Sequence, residues 1–439
     1  MTGDTATTAP PAAVQPPQSP GPSVAGGPDA PLPVLTDITM ARSGLWRLLH
    51  GLPPFRLPRF EQRGFRLPRR ATLRRPWTLV PVVMAVLAAY ARFAARTIRL
   101  LAAFLSRLVR RSVVWSVEEV RISILDASDR LRRPREPILR MEAGEDPCTG
   151  HASVALFVQF SPDGTLSAMV RRQIETYRRL GFATVVISNS PTFAEDAWQD
   201  ARRLAALVVH RRNKGLDFGA WKDLMPVALR RWPTAEEVLL VNDSVLGPIR
   251  PLDPVFAAMR QAGPGFFGLL ESAQGGPHLQ TWFTLARGPK AIADLALFLR
   301  RLRLSRSKWR IIQRGELRLA RHMLGAGNRV ATVYGYRRLV DLAVADPVQR
   351  AYLDRAIPSW VRGVDASVAR ARLLARPVNP AHHLWMALSG PYGCPYIKTE
   401  LIRRNPGGMP AVDRWPELVP AASPCPPEML RAHLAGLGP

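Results

Sequence analysis

HRRNKGLDFGAWKDLMPVALRRWPTAEEVLLVNDSVLGPI, residues His210–Ile249, decides the fold. A polar, glycine-punctuated loop (Asn213-Lys214-Gly215-Leu216-Asp217-Phe218-Gly219) opens an amphipathic segment, and an apolar run then stops abruptly at Asn242-Asp243-Ser244. Strands that finish on a carboxylate before a turn mark the ligand edge of an open α/β sheet, in the crevice beyond the carboxyl ends of the strands. The loop contributes an amide, an ammonium and a carboxylate. A helix N-terminus just behind it can face an anion with its amide dipoles.

Upstream, Val154–Phe160 is a continuous apolar run of strand length, as expected of a strand buried on both faces. Leu166, Met169, Val170, Ile174, Tyr177 and Leu180 recur at helical spacing and Gly181 closes that helix. Ala183–Ile187 is a second strand, ending in Ser188-Asn189-Ser190, and Ala206–Val209 a third. Strand–helix alternation with short connections specifies a parallel sheet with right-handed crossovers. Downstream the pattern gives a helix at Pro251–Gln261 and strands at Phe266–Leu270, His278–Ala286 and Val330–Tyr334. Helices fall at Ala291–Leu304 and Arg314–Gly325.

The chain has 439 residues, 47% of them hydrophobic, and a net charge of +27, which suits an anionic partner. Residues 40–111 hold sixteen Arg and one acidic residue, Glu61, beside the most apolar segment of the chain. That pairing points to an anionic membrane surface and away from nucleic acid, whose readers interleave basic residues with exposed aromatics. Trp77–Ala91 is uncharged but only fifteen residues long and contains Pro81, against the roughly twenty that a spanning helix needs. Arg92–Arg111 reads as a basic amphipathic helix. Residues 77–110 therefore either lie on the bilayer, span it with Arg92 snorkelling, or pack on the rest of the chain. The three cysteines, far apart, make neither a metal spacing nor a disulfide framework and favour a reducing compartment. The start of the chain lacks a secretory pattern.

The expected organisation is a disordered Pro/Ala-rich tail (1–39), a basic membrane-associating region (40–111) and a connecting segment (112–150). An α/β core (151–345), a C-terminal helical block on the acceptor side (346–406) and a Pro-rich tail (407–439) follow.

Four blocks in order resemble the rhamnan synthesis protein F family. They are Asn213–Lys222, Leu239–Pro248, His278–Phe283, and Asn379–Trp385 with Tyr396–Leu401. The resemblance implies a GT-A-like, Rossmann-type nucleotide-sugar fold with C-terminal helical additions. It also implies transfer of a sugar, such as rhamnose from dTDP-L-rhamnose, to a lipid-linked or polymeric glycan. That work would be done at the cytoplasmic face of a bacterial plasma membrane. A GT-A carboxylate at the strand end, in an Asp-X-Asp context, holds Mg²⁺ or Mn²⁺ on the diphosphate, as hard cations prefer oxygen ligands. Here Asn242-Asp243-Ser244 supplies one carboxylate, so Asp243 either holds the metal with phosphate and water or bonds ribose or sugar hydroxyls. The single carboxylate also keeps open a non-catalytic scaffold of a membrane assembly complex.

The expected donor-binding set is Ser188, Asn189, Asn213, Lys214, Gly215, Asp217, Asp243, Ser244, His278 and Lys398, with Asp243 as the metal residue. An inverting transfer needs a base for the acceptor hydroxyl, and Glu271 is the first candidate, Glu316 the second. Trp221, Trp232 and Trp282 read as core, with Trp282 also considered as a sugar platform. His278 and His382 read as structural histidines, His278 being the one nearer a phosphate.

Overall fold

The computed structural model describes residues 32–38, 84, 120–126, 128, 136–146 and 152–438. The expected membrane-associating region, nearly all of the N-terminal tail and most of the connecting segment lie outside these residues. No described helix is long and apolar enough to cross a membrane.

The strands are β1 (Thr36–Asp37), β2 (Ile138–Ala143), β3 (Ser153–Gln159), β4 (Phe182–Ser188), β5 (Leu207–Arg211) and β6 (Glu237–Asn242). They continue with β7 (Val245–Leu246), β8 (Gly265–Ser272), β9 (His278–Leu279), β10 (Phe283–Arg287), β11 (Val330–Tyr334) and β12 (Ile397–Lys398). Between them lie helices α1 (Ala168–Arg179), α2 (Glu195–Leu204), α3 (Leu216–Arg231), α4 (Asp253–Gln261) and α5 (Pro289–Arg301). Next come α6 (Lys308–Ile311), a π-turn at Ile312–Glu316, α7 (Leu317–Gly325) and α8 (Tyr336–Ala345).

One sheet runs in the order β1-β11-β8-β10-β6-β3-β4-β5-β2, with β9 paired to β8. Its centre is parallel, β5-β4-β3-β6, and β8 is parallel to β11. The order reverses between β3 and β6. From β3 the chain winds outward through β4 and β5, then returns to place β6 on the other side of β3. This is a topological switch point, where neighbouring loops diverge and leave a crevice.

The continuous apolar strands are explained by cover on both faces. Ala155 and Phe157 of β3 pack with Met169, Val170 and Ile174 of α1 on one face, whereas Val154, Leu156 and Val158 pack with Phe218, Trp221 and Leu224 of α3 on the other. Burying a Leu or Phe side chain is worth ~1.5–3 kcal/mol, so a one-residue slip of β3 would exchange two complete inward sets.

Four sequence expectations change. The sheet is mixed rather than parallel, because β10 inserts antiparallel between β6 and β8 and both edges are antiparallel. Residues 138–143, expected within a linker, form edge strand β2 against β5. Thr36–Asp37, expected in a disordered tail, pairs with β11, and Ile38 is buried. The expected Pro-rich tail carries a 3-10 helix at Val412–Leu418 and a helix at Pro427–Gly436. The latter packs on α1, where Ser167 Oγ meets His433 Nδ1 at 2.8 Å. Residues from the expected core and C-terminal blocks share one hydrophobic cluster, from Ala155 to Leu430.

Candidate functional site

The C-terminal ends of β3, β4, β5 and β6 converge on one crevice. At the switch point, Phe160, directly after β3, donates its backbone N–H to Asp243 Oδ2 at 2.7 Å. The bond locks the carboxylate that follows β6 against its parallel neighbour. Burial, the largest cause, pushes the Asp243 carboxyl up to about 7; the Phe160 amide pulls it down and the charge of Asp217 pushes it up further.

Asp217 reaches the same place from the first turn of α3. It is held above the ordinary carboxylate range by burial, opposed by Lys398 and by the Asn242 amide. A chain of hydrogen bonds connects these groups. Lys398 Nζ donates to Ser244 Oγ (2.8 Å), Ser244 Oγ to Asn242 Oδ1 (2.6 Å), and Asn242 Nδ2 to Asp217 Oδ2 (2.6 Å). The chain of bonds holds the four side chains against one another. Lys398 arrives from far down the chain because β12 pairs with β7 in the register Lys398↔Val245. Burial holds its ammonium below the ordinary lysine range, opposed first by Glu316 and then by Asp217.

The loop before α3 is built on Arg211, a fully buried guanidinium at the end of β5. Arg211 donates to Asn189 Oδ1 (2.8 Å), to the Lys214 carbonyl (3.0 Å) and to Asp223 Oδ2 (2.7 Å). Asn189 therefore serves the strut rather than facing the crevice with a free amide oxygen, and Ser188, wholly buried, accepts from Gln159 Nε2 at 2.6 Å. Gly215 turns the chain into α3 with φ of 77°, a conformation L side chains rarely adopt. Gly219 admits the returning loop, since a Cβ there would stand 1.8 Å from the Lys214 carbonyl oxygen. The side chains of Asn213 and Lys214 are exposed, so the loop presents them to solvent at the crevice edge.

The two candidate bases separate. Glu271, at the end of β8, accepts the Tyr336 N–H at 2.9 Å, at the first residue of α8. Burial holds it above the ordinary range, opposed by that amide and by Arg337, so its surroundings are those of a buried helix cap. Glu316 closes the π-turn before α7, and such turns recur at functional sites because the extra residue re-aims a side chain. Its Oε2 accepts from Thr281 Oγ1 at 3.0 Å and its Oε1 lies 3.7 Å from His278 Nε2. Its charge acts on both Asp217 and Lys398, which places it in their cluster. His278 Nδ1 is 2.8 Å from the Gly276 carbonyl, which leaves Nε2 turned to Glu316. The expected single strand over His278–Ala286 is broken at 280–282, and the break is what turns Thr281 toward Glu316.

Trp282 is no sugar platform. It is buried, with its indole N–H donated to Gln280 Oε1 at 2.8 Å and its ring edge-on to Tyr396. Trp221 is core, donating to the Leu156 carbonyl at 3.1 Å. His382 is buried and its imidazole is pushed down to about 4 by that burial, as befits a structural histidine. Sequence reading missed Arg211, Asn242 and Thr281 as working parts, and also Phe160, whose exposed ring stands beside the switch point. Arg211 carried a signal, being a charged residue that follows the apolar run Leu207–Val209 and His210 at the end of its strand.

Among the described residues no group of three or more His, Cys, Asp or Glu is disposed around a common metal position. Burial nonetheless raises the carboxyls of both Asp217 and Asp243, and the charge of Asp217 raises that of Asp243 further. A divalent cation relieves that repulsion, and a hard dication held by one or two carboxylates takes its remaining ligands from phosphate and water. The donor set fits such an ion.

A virulence protein, VirA, of Vibrio anguillarum is 27% identical over 216 residues, covering 48% of this chain and 67% of its own length. An uncharacterized protein, y4gN, of Sinorhizobium fredii is 23% identical over 189 residues, 42% of this chain and 49% of its own, so the match spans about half of that relative. The family model described as rhamnan synthesis protein F matches residues 184–330. That range contains Asp217, Asp243, Glu271, His278 and Glu316 and leaves out Lys398. The β6 side of the switch point and the carboxylates around it thus lie in the segment that the rhamnan synthesis protein F model matches, a likeness to proteins of rhamnan or polysaccharide synthesis, whereas β3 and Phe160 precede it.

Proposed function

We propose that the chain is a GT-A-like glycosyltransferase that adds a sugar, rhamnose from dTDP-L-rhamnose in the first instance, to a lipid-linked or polymeric surface glycan. The observation that carries this reading is the Asp243–Phe160 bond across the switch point, with Asp217 and Lys398 wired to the same spot. An antiparallel strand, β10, next to the carboxylate-bearing β6 supports a GT-A-like sheet over a simple doubly wound one.

Asp243 and Asp217 would hold a Mg²⁺ or Mn²⁺ ion, whose positive charge offsets that of the departing diphosphate. Lys398 adds a buried positive charge on the same side, and the exposed Asn213 and Lys214 meet the outer phosphate or the nucleoside. Glu316 takes the acceptor proton. The acceptor oxygen bonds to the anomeric carbon as the bond from that carbon to the diphosphate oxygen breaks, and the nucleoside diphosphate leaves. Thr281 and His278 hold Glu316 in position. The enzyme would work at the cytoplasmic face of a bacterial plasma membrane, held by the sixteen arginines and apolar residues of 40–111.

The test is donor turnover by the full chain, read as release of nucleoside diphosphate from dTDP-L-rhamnose and from UDP- and GDP-sugars, with and without Mn²⁺. Release that needs both Asp243 and Glu316 supports the transferase. Turnover retained in Asp243→Asn would remove the site from the chemistry. No turnover with any donor, together with intact folding, would favour the non-catalytic scaffold.

A further inference from the structure

The sheet ends on β2, and among the described residues β5 is its one neighbour. The pairs from Arg140↔His210 to Ala143↔Leu207 share one register, and just beyond them the Gly144 N–H donates to the Ala206 carbonyl at 3.1 Å. In an antiparallel ladder, residues that bond to the neighbouring strand alternate with residues whose backbone groups point the other way. Arg140, Glu142 and Gly144 therefore turn their backbone groups to β5, and Met141 and Ala143 turn theirs to the open edge. The pairing is irregular between Ile138 and Arg140, and the Ala143 carbonyl meets Arg202 Nε at 3.2 Å. The regular open stretch is thus centred on Met141.

The side chains sort by the same alternation. Arg140 and Glu142 lie on the α2 face, where Arg140 stacks 4.1 Å over Trp198 and Glu142 Oε2 accepts the Trp198 indole N–H at 3.2 Å. With Glu195 and Arg202 they form a balanced cluster of two cations and two carboxylates. Leu139 and Met141 are each 45% exposed, and Ala143 is exposed with them. An edge with outward backbone groups beside a row of exposed apolar side chains is a template for another strand.

Charge decides which strand. Two-fold pairing of β2 with itself leaves few registers, because opposed residues must share one hydrogen-bonding direction. Centring on Arg140 sets Arg140 against its own copy, and centring on Glu142 sets Glu142 against its own copy; like charges directly opposite are destabilising. Centring on Met141 avoids both. The two Met141 residues then exchange backbone hydrogen bonds, and Leu139 of each copy stands opposite Ala143 of the other. Arg140 of each copy falls opposite Glu142 of the other, in the closer, non-hydrogen-bonded pairs. One register satisfies backbone, charge and apolar row together. We propose that the chain forms a two-fold dimer by pairing β2 with the β2 of a second copy about Met141, which joins the two sheets into one. The interface lies one strand away from β5, which ends in the Arg211 strut, and each crevice stays complete within its own chain. The inference does not depend on the transferase reading.

A single edge pairing is a small interface, so half-association is expected at about 1–100 µM. Sedimentation equilibrium of the full chain across that range should show the mass rise from one chain to two. Met141→Lys, which opposes two ammonium groups, should weaken the association about ten-fold or more. Val348→Lys, on the helix Pro347–Ala356 and 68% exposed, should leave it unchanged. Both substitutions fall on exposed side chains, and melting curves check that each variant is folded. The register is read separately, in a Cys148→Ser background, with a short bifunctional thiol reagent. Met141→Cys should be joined to its own copy, whereas two copies of Leu139→Cys stand roughly 14 Å apart along the strands and should not be. A single-chain mass throughout the range, association indifferent to Met141→Lys, or equal crosslinking at 139 and 141 would overturn the proposal.

Discussion

Replacing Asp243 by Asn keeps the size and the acceptor for the Phe160 amide but removes a carboxylate that burial pushes up to about 7. Because an unfolded Asp titrates near ~3.9, folding raises its proton affinity, and the sign of the linkage follows. The stabilisation is full below about pH 4, declines as the unfolded chain ionises and the folded one does not, and is gone above about pH 7. With each pKa step worth ~1.4 kcal/mol, the ionised folded protein at pH 8 carries a penalty of at most ~4 kcal/mol. Partial access of solvent to the crevice reduces this to ~1–3 kcal/mol. The neutral amide escapes the penalty, so Asp243→Asn is expected to be more stable than the parent at pH 8 by that amount and equal to it at pH 4. Urea titrations at the two pH values measure the difference. A variant that is less stable at pH 8, or offset equally at both, would refute the reasoning. The same substitution is expected to abolish turnover under the proposed function, so stability and activity should move in opposite directions, as expected where a site stores electrostatic strain.

Other outcomes follow from the same geometry. Glu316→Gln should lower kcat by ~10²–10⁴-fold and leave donor affinity nearly unchanged, as single-turnover and binding measurements would show. Arg211→Met leaves Asp223 and Asn189 unpaired in a buried place and should cost ~3–5 kcal/mol in urea unfolding, whereas replacing the exposed Lys214 should cost almost none. Gly219→Ala would drive a Cβ into the Lys214 carbonyl, and donor affinity should fall with it, measured by calorimetry. The effect of Mn²⁺ on thermal stability should rise with a midpoint near or below about pH 7, because the cation competes with the Asp243 proton.

The central architecture was legible because β3, β4 and β6 are buried on both faces, with Thr184 the one polar residue inside them, and because β4 and β6 end on Ser188 and Asn242. The edges were not. In β2 the residues turned to the protein are Ile138, Arg140 and Glu142, with Arg140 stacked 4.1 Å over Trp198, while Leu139 and Met141 are exposed. Its alternation therefore reads as linker. The antiparallel β10 follows a break at 280–282 where Thr281 meets a distant partner, Glu316, and no local propensity announces that. Site residues on one strand end, Asn242 to Ser244, were readable together. Their link to Lys398, far away in sequence, needed the register of β12 on β7, and only the family resemblance had pointed to that block. Between the two candidate bases, the sequence reading puts Glu271 first, on the GT-A resemblance, in which the base follows the metal residue by one or two strands. The helix that begins at Tyr336 occupies Glu271 as its cap, and the π-turn brings Glu316 to the cluster instead.

The most direct measurement is calorimetric titration of the full chain at pH 8 with dTDP, UDP and GDP, each with and without Mn²⁺, in the parent and in Asp243→Asn. The account predicts Mn²⁺-dependent binding of one nucleoside diphosphate that the substitution abolishes. Binding that is indifferent to both Mn²⁺ and Asp243, or no binding by a folded chain, would contradict a nucleotide-sugar site at the β3–β6 switch point.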